Sequence, residues 1–454
     1  MFKKFLLKLI SLIAIACLCV ITSFADENID NQTIIRVGLS YSSTTATNVT
    51  ISNSGGFLVS LDGQQLSPTN INVNSLTLSA EKGLLYVNTL FGGNVTYAST
   101  GTKILISSVS EEDRITYNGT DYYGSFEFYL DNNGKITVIN AVDIEDYLKG
   151  VLPSEVYPSW NMEALKAAAV VARTYALRNV STSSHSANGF DICATTHCQM
   201  YSGSKKENQR TNEAIFLTSG LVVMYNGALA LTPYHSSNGG FTETASGAWG
   251  GSQSTYPYLT AVYTPYEDYR NVPNGKWQSI ITPSELINYI PKAYASKLSG
   301  GNLSFDYNRE SNGFIRKMSV SDAYGNRLDL NTSGSVRSFF GSLVKSASFG
   351  IAQTYVPSST QTSSITVISS SGVEDFQSTD GYDIITADGI TKASGFSEVY
   401  VFDGQGYGHG VGLSQFGSRC MADAGFTYDQ IIYTYFPGTV ISSTHLPSPD
   451  LQEN

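Results

Sequence analysis

Glu155 sits in LPSEVYPSW, with Val156, Tyr157, Pro158 and Trp160 as near neighbours and no basic residue beside it. Apolar and aromatic side chains packed around a carboxylate remove it from water, and desolvation disfavours its charged form. A carboxyl that keeps its proton near neutral pH is what general-acid catalysis requires. The plainer reading is a solvated loop glutamate, and the residues alone leave both open. Glu145, Asp146 and Glu163 lie on or beside expected helix N-terminal turns, where capping and the helix dipole explain an acid.

A second group lies in SSHSANGFDICATTHCQMYSG, where His185, Cys193, His197 and Cys198 supply two imidazoles and two thiols. That set matches the ligands of a closed tetrahedral zinc site, although the spacing is irregular and adjacent His-Cys ligands are uncommon. A Cys193–Cys198 disulfide beside two exposed histidines is the alternative in an exported protein. A third group, GYGHGVGLSQFG, sets His409 between glycines, with Ser414 and Gln415 opening the next helix. Such a loop could hold a polar ligand such as a sugar, or be a packing turn with a structural histidine. It lacks the GxxxxGK[ST] pattern of a nucleotide phosphate site.

The elements that position these groups are legible from periodicity. From Ile34 to about Ile139, short runs such as IIRVGL, GGFLVSL, KILISSV and GSFEFYL alternate with Gly, Asn and Asp turns, Asp131 to Gly134 being the clearest, and predict strands and hairpins. Asp143 can cap a helix over IEDYLKGV. Asn161 can cap a longer one, in which Leu165, Ala168, Ala169, Ala172 and Ala176 recur at helical spacing and allow close approach. Further strands are expected at GLVVMYNG and ALALTPYH, with helices at Pro283 to Ser296 and Leu413 to Ala424. The segment 357–395, rich in Ser and Thr, reads as an inserted hairpin or loop. The fold class is α+β, β-rich with a few helices. The expected domains are a leader at 1–25, a β-rich region at 26–115, a core at 116–445 holding that insertion, and a tail at 446–454.

With 454 residues and 41 % hydrophobic content, the chain can bury ordinary cores. Charged residues are only 14 %, and 29 tyrosines carry part of the polarity, which suits a β-rich protein working outside a cell. The formal charge of −11 and the lack of basic stripes argue against a nucleic-acid partner. The first residues give lysines, an apolar run from Leu9 to Ile21 and the ending Ser23-Phe24-Ala25, which reads as a bacterial export signal with cleavage near Asp26. An uncleaved membrane anchor is the alternative. Of five cysteines, Cys17 and Cys19 fall in this leader, and the odd remainder argues against a pure disulfide framework.

Taken together, EDYLKGVLPSEVYPSWNMEALKAAAVVARTYAL, then THCQMYSG with HSSNGGFTETASGAWG, then GQGYGHGVGLSQFGSRCMADAGFTYDQIIYTYFPGT resemble the SpoIID/LytB family over roughly Ile34 to Thr439. The resemblance implies peptidoglycan work at the cell surface or wall. The sporulation branch looks like lytic transglycosylases that cut glycan strands. The LytB branch is described as enhancing an amidase, so the implied partners are glycan strands and a cell-wall amidase. The family's catalytic glutamate falls on Glu155, and the structural zinc ligands of some members fall on His185, Cys193, His197 and Cys198. Val156 stands where the family has methionine and Ala168 where it has glutamine.

A lytic transglycosylase needs one acid rather than the two carboxylates of most glycoside hydrolases, which fits the lone Glu155. Tyr157, Trp160, Tyr201 and His409 are the expected partners for sugar rings, with Ser414 and Gln415 at the Gly-rich loop. The rival expectation is a wall-binding module that activates an amidase. A catalytic zinc ranks last, because four protein ligands leave no open position for water.

Overall fold

The structure is a computed structural model. It describes residues 33–61, 64–65, 73–89, 97–99, 103–110, 112–183, 185–267, 272–357, 364–369, 372–377, 383–386, 389–392 and 396–444. The expected leader and tail fall outside these residues. The chain is β-rich α+β, as its patterning implies.

The alternating N-terminal runs form two sheets. One orders its strands as Ile192–Cys193, Ile34–Ser40, Ile136–Asp143, Ser125–Leu130, Ile104–Ser108, Phe57–Leu61 and Gln64–Gln65. The other orders Thr120–Tyr122, Ile115–Tyr117, Asn48–Ser52, Ser75–Glu81, Leu84–Thr89 and Tyr97–Ser99. Their period-two faces, including Ile104 and Ile106, Leu76 and Leu78, and Leu85 and Val87, are buried. The hairpin turn forms as expected: the Gly134 N–H donates to the Asp131 carbonyl at 3.0 Å, and Gly134 takes φ +70°.

Strand Ile136–Asp143 runs straight into helix α1, Ile144–Glu155, whose Glu145 N–H donates to the capping Asp143 carboxylate at 2.8 Å. The helix extends past the expected IEDYLKGV because Pro153 falls in its last turn, where the missing N–H costs a single bond. Val156 then turns to extended backbone, leaving Glu155 as the terminal helical residue. Asn161 caps α2, Met162–Thr182, which lays Ala164, Ala167, Ala169, Ala172 and Ala176 into the core. Arg173 of α2 is fully buried and held by both Glu145 oxygens at 2.8 and 2.7 Å, with α3, Gln209–Leu217, offering the Ile215 carbonyl. Glu145 is therefore the counter-ion of a buried guanidinium, a role that dipole reasoning misses.

Downstream of α4, Ala245–Trp249, a second hydrophobic core forms around Trp277, Leu286, Val320, Phe339, Phe340, Phe349 and Phe402. The single helix expected at 283–296 is two, α5 Pro283–Tyr289 and α6 Lys292–Ala295. Pro291 pushes the preceding Ile290 to extended backbone and ends the first. Helix α7, Ser333–Phe340, follows. Strands Phe349–Pro357 and Phe396–Gln405 pair along their whole length, and two hairpins, Ser364–Ser369 with Gly372–Gln377 and Asp383–Thr386 with Gly389–Lys392, lie between their ends. The two N-terminal sheets share one core with α1 and α2, while residues from Trp277 to Phe402 contribute to the second.

The chain then returns to the first core. Leu413–Ser414 pairs in parallel with Tyr234–His235, Ser414 caps α8, Gln415–Asp423, and α9, Tyr428–Tyr435, packs against α2. Among the described residues no helix is long and apolar enough to cross a membrane.

Candidate functional site

Glu155 closes α1 with its carboxylate over the alanine face of α2. Leu152, Val156, Ala168, Val171, Ala172 and Leu413 form a small apolar gap beneath it. Burial pushes the Glu155 carboxyl above its ordinary range, and the negative end of α1 acts in the same direction. Three donors oppose that shift without cancelling it: the Met200 N–H at 2.9 Å from Oε1, the Gln415 amide at 3.3 Å from Oε2, and the Tyr234 side chain. An amide is a suitable neighbour for such an acid, since its NH₂ donates to the carboxylate and its carbonyl can accept from the protonated form.

Met200 belongs to the loop that carries the second group. The ligand atoms of His185, Cys193, His197 and Cys198 lie within 4.8 Å of one another. His185 Nε2 is 3.3 Å from His197 Nδ1, Cys198 Sγ is 3.4 Å from each of these nitrogens, and Cys193 Sγ is 3.7 Å from His197 Nδ1. A tetrahedral zinc with bonds of about 2.05 Å to nitrogen and 2.3 Å to sulfur sets its ligand atoms roughly 3.3 to 3.8 Å apart, and these four distances fall in that range. Both cysteines are free, and no disulfide joins them. Strand Ile34–Ser40 builds this corner: it pairs with Ile192–Cys193, and Gly38 leaves room for Phe190, on which the His185 ring stacks at 4.8 Å.

Glu155, Cys198 and His409 open onto one cleft of about 620 Å³, together with Tyr175, His197, Tyr234, His235, Trp249, Arg337, Tyr407 and Gln415. The histidine tautomers follow from their partners. His235 Nδ1 donates to the Val411 carbonyl at 3.1 Å, and His409 Nδ1 accepts from the Val411 N–H at 3.0 Å. Burial lowers both, His235 to about 3 and His409 to about 4, so both are neutral at pH 7.

The sugar contacts expected from sequence divide. His409 and Gln415 line the cleft. Tyr157 is 58 % exposed and lies over Trp160 and Phe416, while Trp160 is buried beneath it, so this aromatic group borders Glu155 outside the cleft lining. Tyr201 and Ser414 are not brought to the cleft. Tyr201 is a core residue whose hydroxyl donates to Asn140 at 2.8 Å and whose ring packs on Gly150 of α1. Ser414 is fully buried, donating to Glu267 at 2.7 Å and capping α8. Tyr234, Trp249, Arg337 and Tyr407 were missed. Trp249 and Tyr407 stand in GAWG and GYGHG and were readable as exposed aromatics next to glycines, whereas Arg337 carries no local signal.

A two-core chain with one desolvated glutamate and a His₂Cys₂ corner on a shared cleft is a defined class, and comparison places it. Residues 132–225, which contain α1, Glu155, α2 and all four corner residues, match the family model described as stage II sporulation protein. The chain is 31 % identical to the amidase enhancer of Bacillus subtilis over 385 residues, 82 % of this chain and 50 % of that protein. It is 30 % identical to an uncharacterized protein of Brachyspira hyodysenteriae over 73 % of this chain and 74 % of the relative. With stage II sporulation protein D of Bacillus subtilis it shares 26 % identity over 67 % of this chain and 76 % of the relative. The chain belongs to the SpoIID/LytB family. It spans half the length of the amidase enhancer.

Proposed function

We propose that this chain, a member of a family with a cell-wall-related role, is an exported lytic transglycosylase that cuts peptidoglycan glycan strands to 1,6-anhydromuramic ends. The observation that carries this reading is the desolvated Glu155 carboxyl, the one carboxylate among the residues lining a cleft rich in aromatic and polar side chains.

In the reaction, Glu155 gives its proton to the glycosidic oxygen as the C1–O bond breaks. The carboxylate so formed takes the proton of the muramic C6 hydroxyl, whose oxygen bonds to C1 of the same ring. Atoms balance without water, and Glu155 ends protonated. Met200 and Gln415 stabilise the transient carboxylate, which keeps it from becoming too strong a base between the two transfers.

The His185, Cys193, His197 and Cys198 corner is proposed to hold a structural zinc, which would tie the loop 195–200 into one conformation and so fix the Met200 N–H on Glu155. With four protein ligands the ion would have no position for substrate. Mass spectrometry of glycan digested by the purified chain tests the activity: ends lighter by one water than reducing ends are expected.

A second reading, a wall-bound activator of an amidase, is favoured by one finding, the 31 % identity to an amidase enhancer. It expects no new ends from the chain alone, and release of stem peptides only when an amidase is added.

A further inference from the structure

Among the described residues, Arg337 is the one arginine that lines the cleft, and no carboxylate or hydrogen-bond acceptor holds its guanidinium. Three other buried or partly buried arginines each have a carboxylate: Arg173 has Glu145, Arg316 has Glu243 and Arg36 has Glu127. Arg337 is half-buried, and burial lowers its basicity with only Tyr407 acting in the opposite sense. Holding a guanidinium partly out of water without a counter-ion is unfavourable, and a ligand anion would remove that penalty.

The fold fixes this cation deliberately. Thr332 caps α7 by accepting from the Ser335 N–H at 3.0 Å, and Val336, Phe339 and Phe340 lock the helix into the second core. Gly334 lets α7 approach the Ala248 carbonyl of α4, where a Cβ would clash, and Ser333 donates to the Gly247 carbonyl at 3.3 Å. Buried Glu243 ties the same junction to Arg316 at 2.7 Å. Arg337 therefore reaches the cleft that Trp249 and Tyr407 also line, the two rings being 46 % and 39 % exposed. Trp249 packs against His409 at 5.6 Å, which rests on His235 at 5.5 Å.

We propose that Arg337, flanked by Trp249 and Tyr407, is a subsite for a carboxylate carried on the glycan strand that Glu155 cuts. The aromatic faces take the sugar ring and the guanidinium takes two oxygens of the acid. Muramic residues offer such a carboxylate from two sources: the lactyl group once a stem peptide is removed, or the stem peptide itself while it remains. The subsite rests on the lytic reading only for the identity of the strand.

The test is equilibrium binding followed by calorimetry, with Glu155→Gln as background so that no strand is cut. Three muramic tetrasaccharides are compared: lactyl carboxylates free, the same groups converted to methylamides, and stem peptides attached. The Glu155→Gln chain should bind a carboxylate-bearing fragment about 10- to 100-fold more tightly than the methylamide. Arg337→Gln should remove that preference while leaving methylamide binding within about twofold, and Arg337→Lys should restore part of it. Loss confined to the peptide-free fragment assigns the lactyl group, and loss confined to the peptide-bearing one assigns the stem peptide. Equal binding of all three fragments, no binding of any, or full preference in a folded Arg337→Gln chain overturns the subsite. A carboxylate preference in a chain whose unmutated form makes no anhydro ends leaves the subsite standing and sinks the lytic reading alone.

Discussion

The Met200 N–H donates to Glu155 Oε1 at 2.9 Å, and Met200 lies two residues beyond Cys198. The backbone that leaves the His₂Cys₂ corner thus touches the catalytic candidate directly, so disorder in the corner should reach the acid. Purification without chelator should give about one zinc per chain. Removing the metal, or Cys198→Ser, should lower the melting temperature and reduce glycan cleavage together. Full metal content in Cys198→Ser, or an unchanged melt after complete chelation, speaks against the site.

The pH profile should carry the signature of Glu155. Because its carboxyl is raised above 4.5 by burial, the acid form persists to higher pH than in a solvated glutamate, and cleavage should fall as pH rises through the raised value. Stability follows the same sign. The wild-type fold loses stability as pH rises through the raised value, because the unfolded chain ionises Glu155 more readily. Glu155→Gln has no proton to lose, so its melting temperature relative to wild type should climb with pH over that window. A difference that is flat with pH would mean an ordinary, solvated carboxylate.

Gln415→Ala separates positioning from packing. The amide lowers the Glu155 pKa by donating to it, so its removal should shift the basic limb of the rate profile to higher pH. The rate itself should fall about 10- to 150-fold, the worth of one hydrogen bond to a charged group. A lower rate with an unmoved limb would show that Gln415 acts on substrate alone.

Glu145→Gln should be among the most destabilising single changes in the helical region, by about 3 kcal/mol, because it leaves Arg173 charged and buried. Glu163→Gln should cost about 1 kcal/mol or less: its carboxylate pairs with Lys166 at 2.7 Å and accepts from the Tyr428 N–H at 2.9 Å, both partly exposed. Urea denaturation of the two variants makes the comparison, and equal costs would contradict it.

What the sequence disclosed was what it writes contiguously. Glu155 with its aromatic neighbours, the four corner residues within fourteen positions, and the Gly-rich loop are each local patterns, and α1, α2 and the N-terminal hairpins follow from caps and periodicity. What it hid depends on distant packing. Arg337 is an ordinary helix arginine until the second core brings α7 against α4, and Tyr234 gains meaning only when its strand pairs with Leu413–Ser414. The same limit explains Tyr201 and Ser414, whose polar atoms found buried partners in Asn140 and Glu267 that no spacing rule names.

The most direct measurement is release of 1,6-anhydromuramic ends from purified glycan by wild type and by Glu155→Gln, with thermal melts as the folding control. Glutamine keeps the size and much of the hydrogen bonding of the protonated acid but cannot donate a proton to the leaving oxygen. Wild type should release anhydro ends, and the folded variant should be slower by about 10²- to 10⁴-fold. Wild-type-like release by folded Glu155→Gln would contradict the assignment of the acid, and no release by wild type would contradict the lytic reading itself.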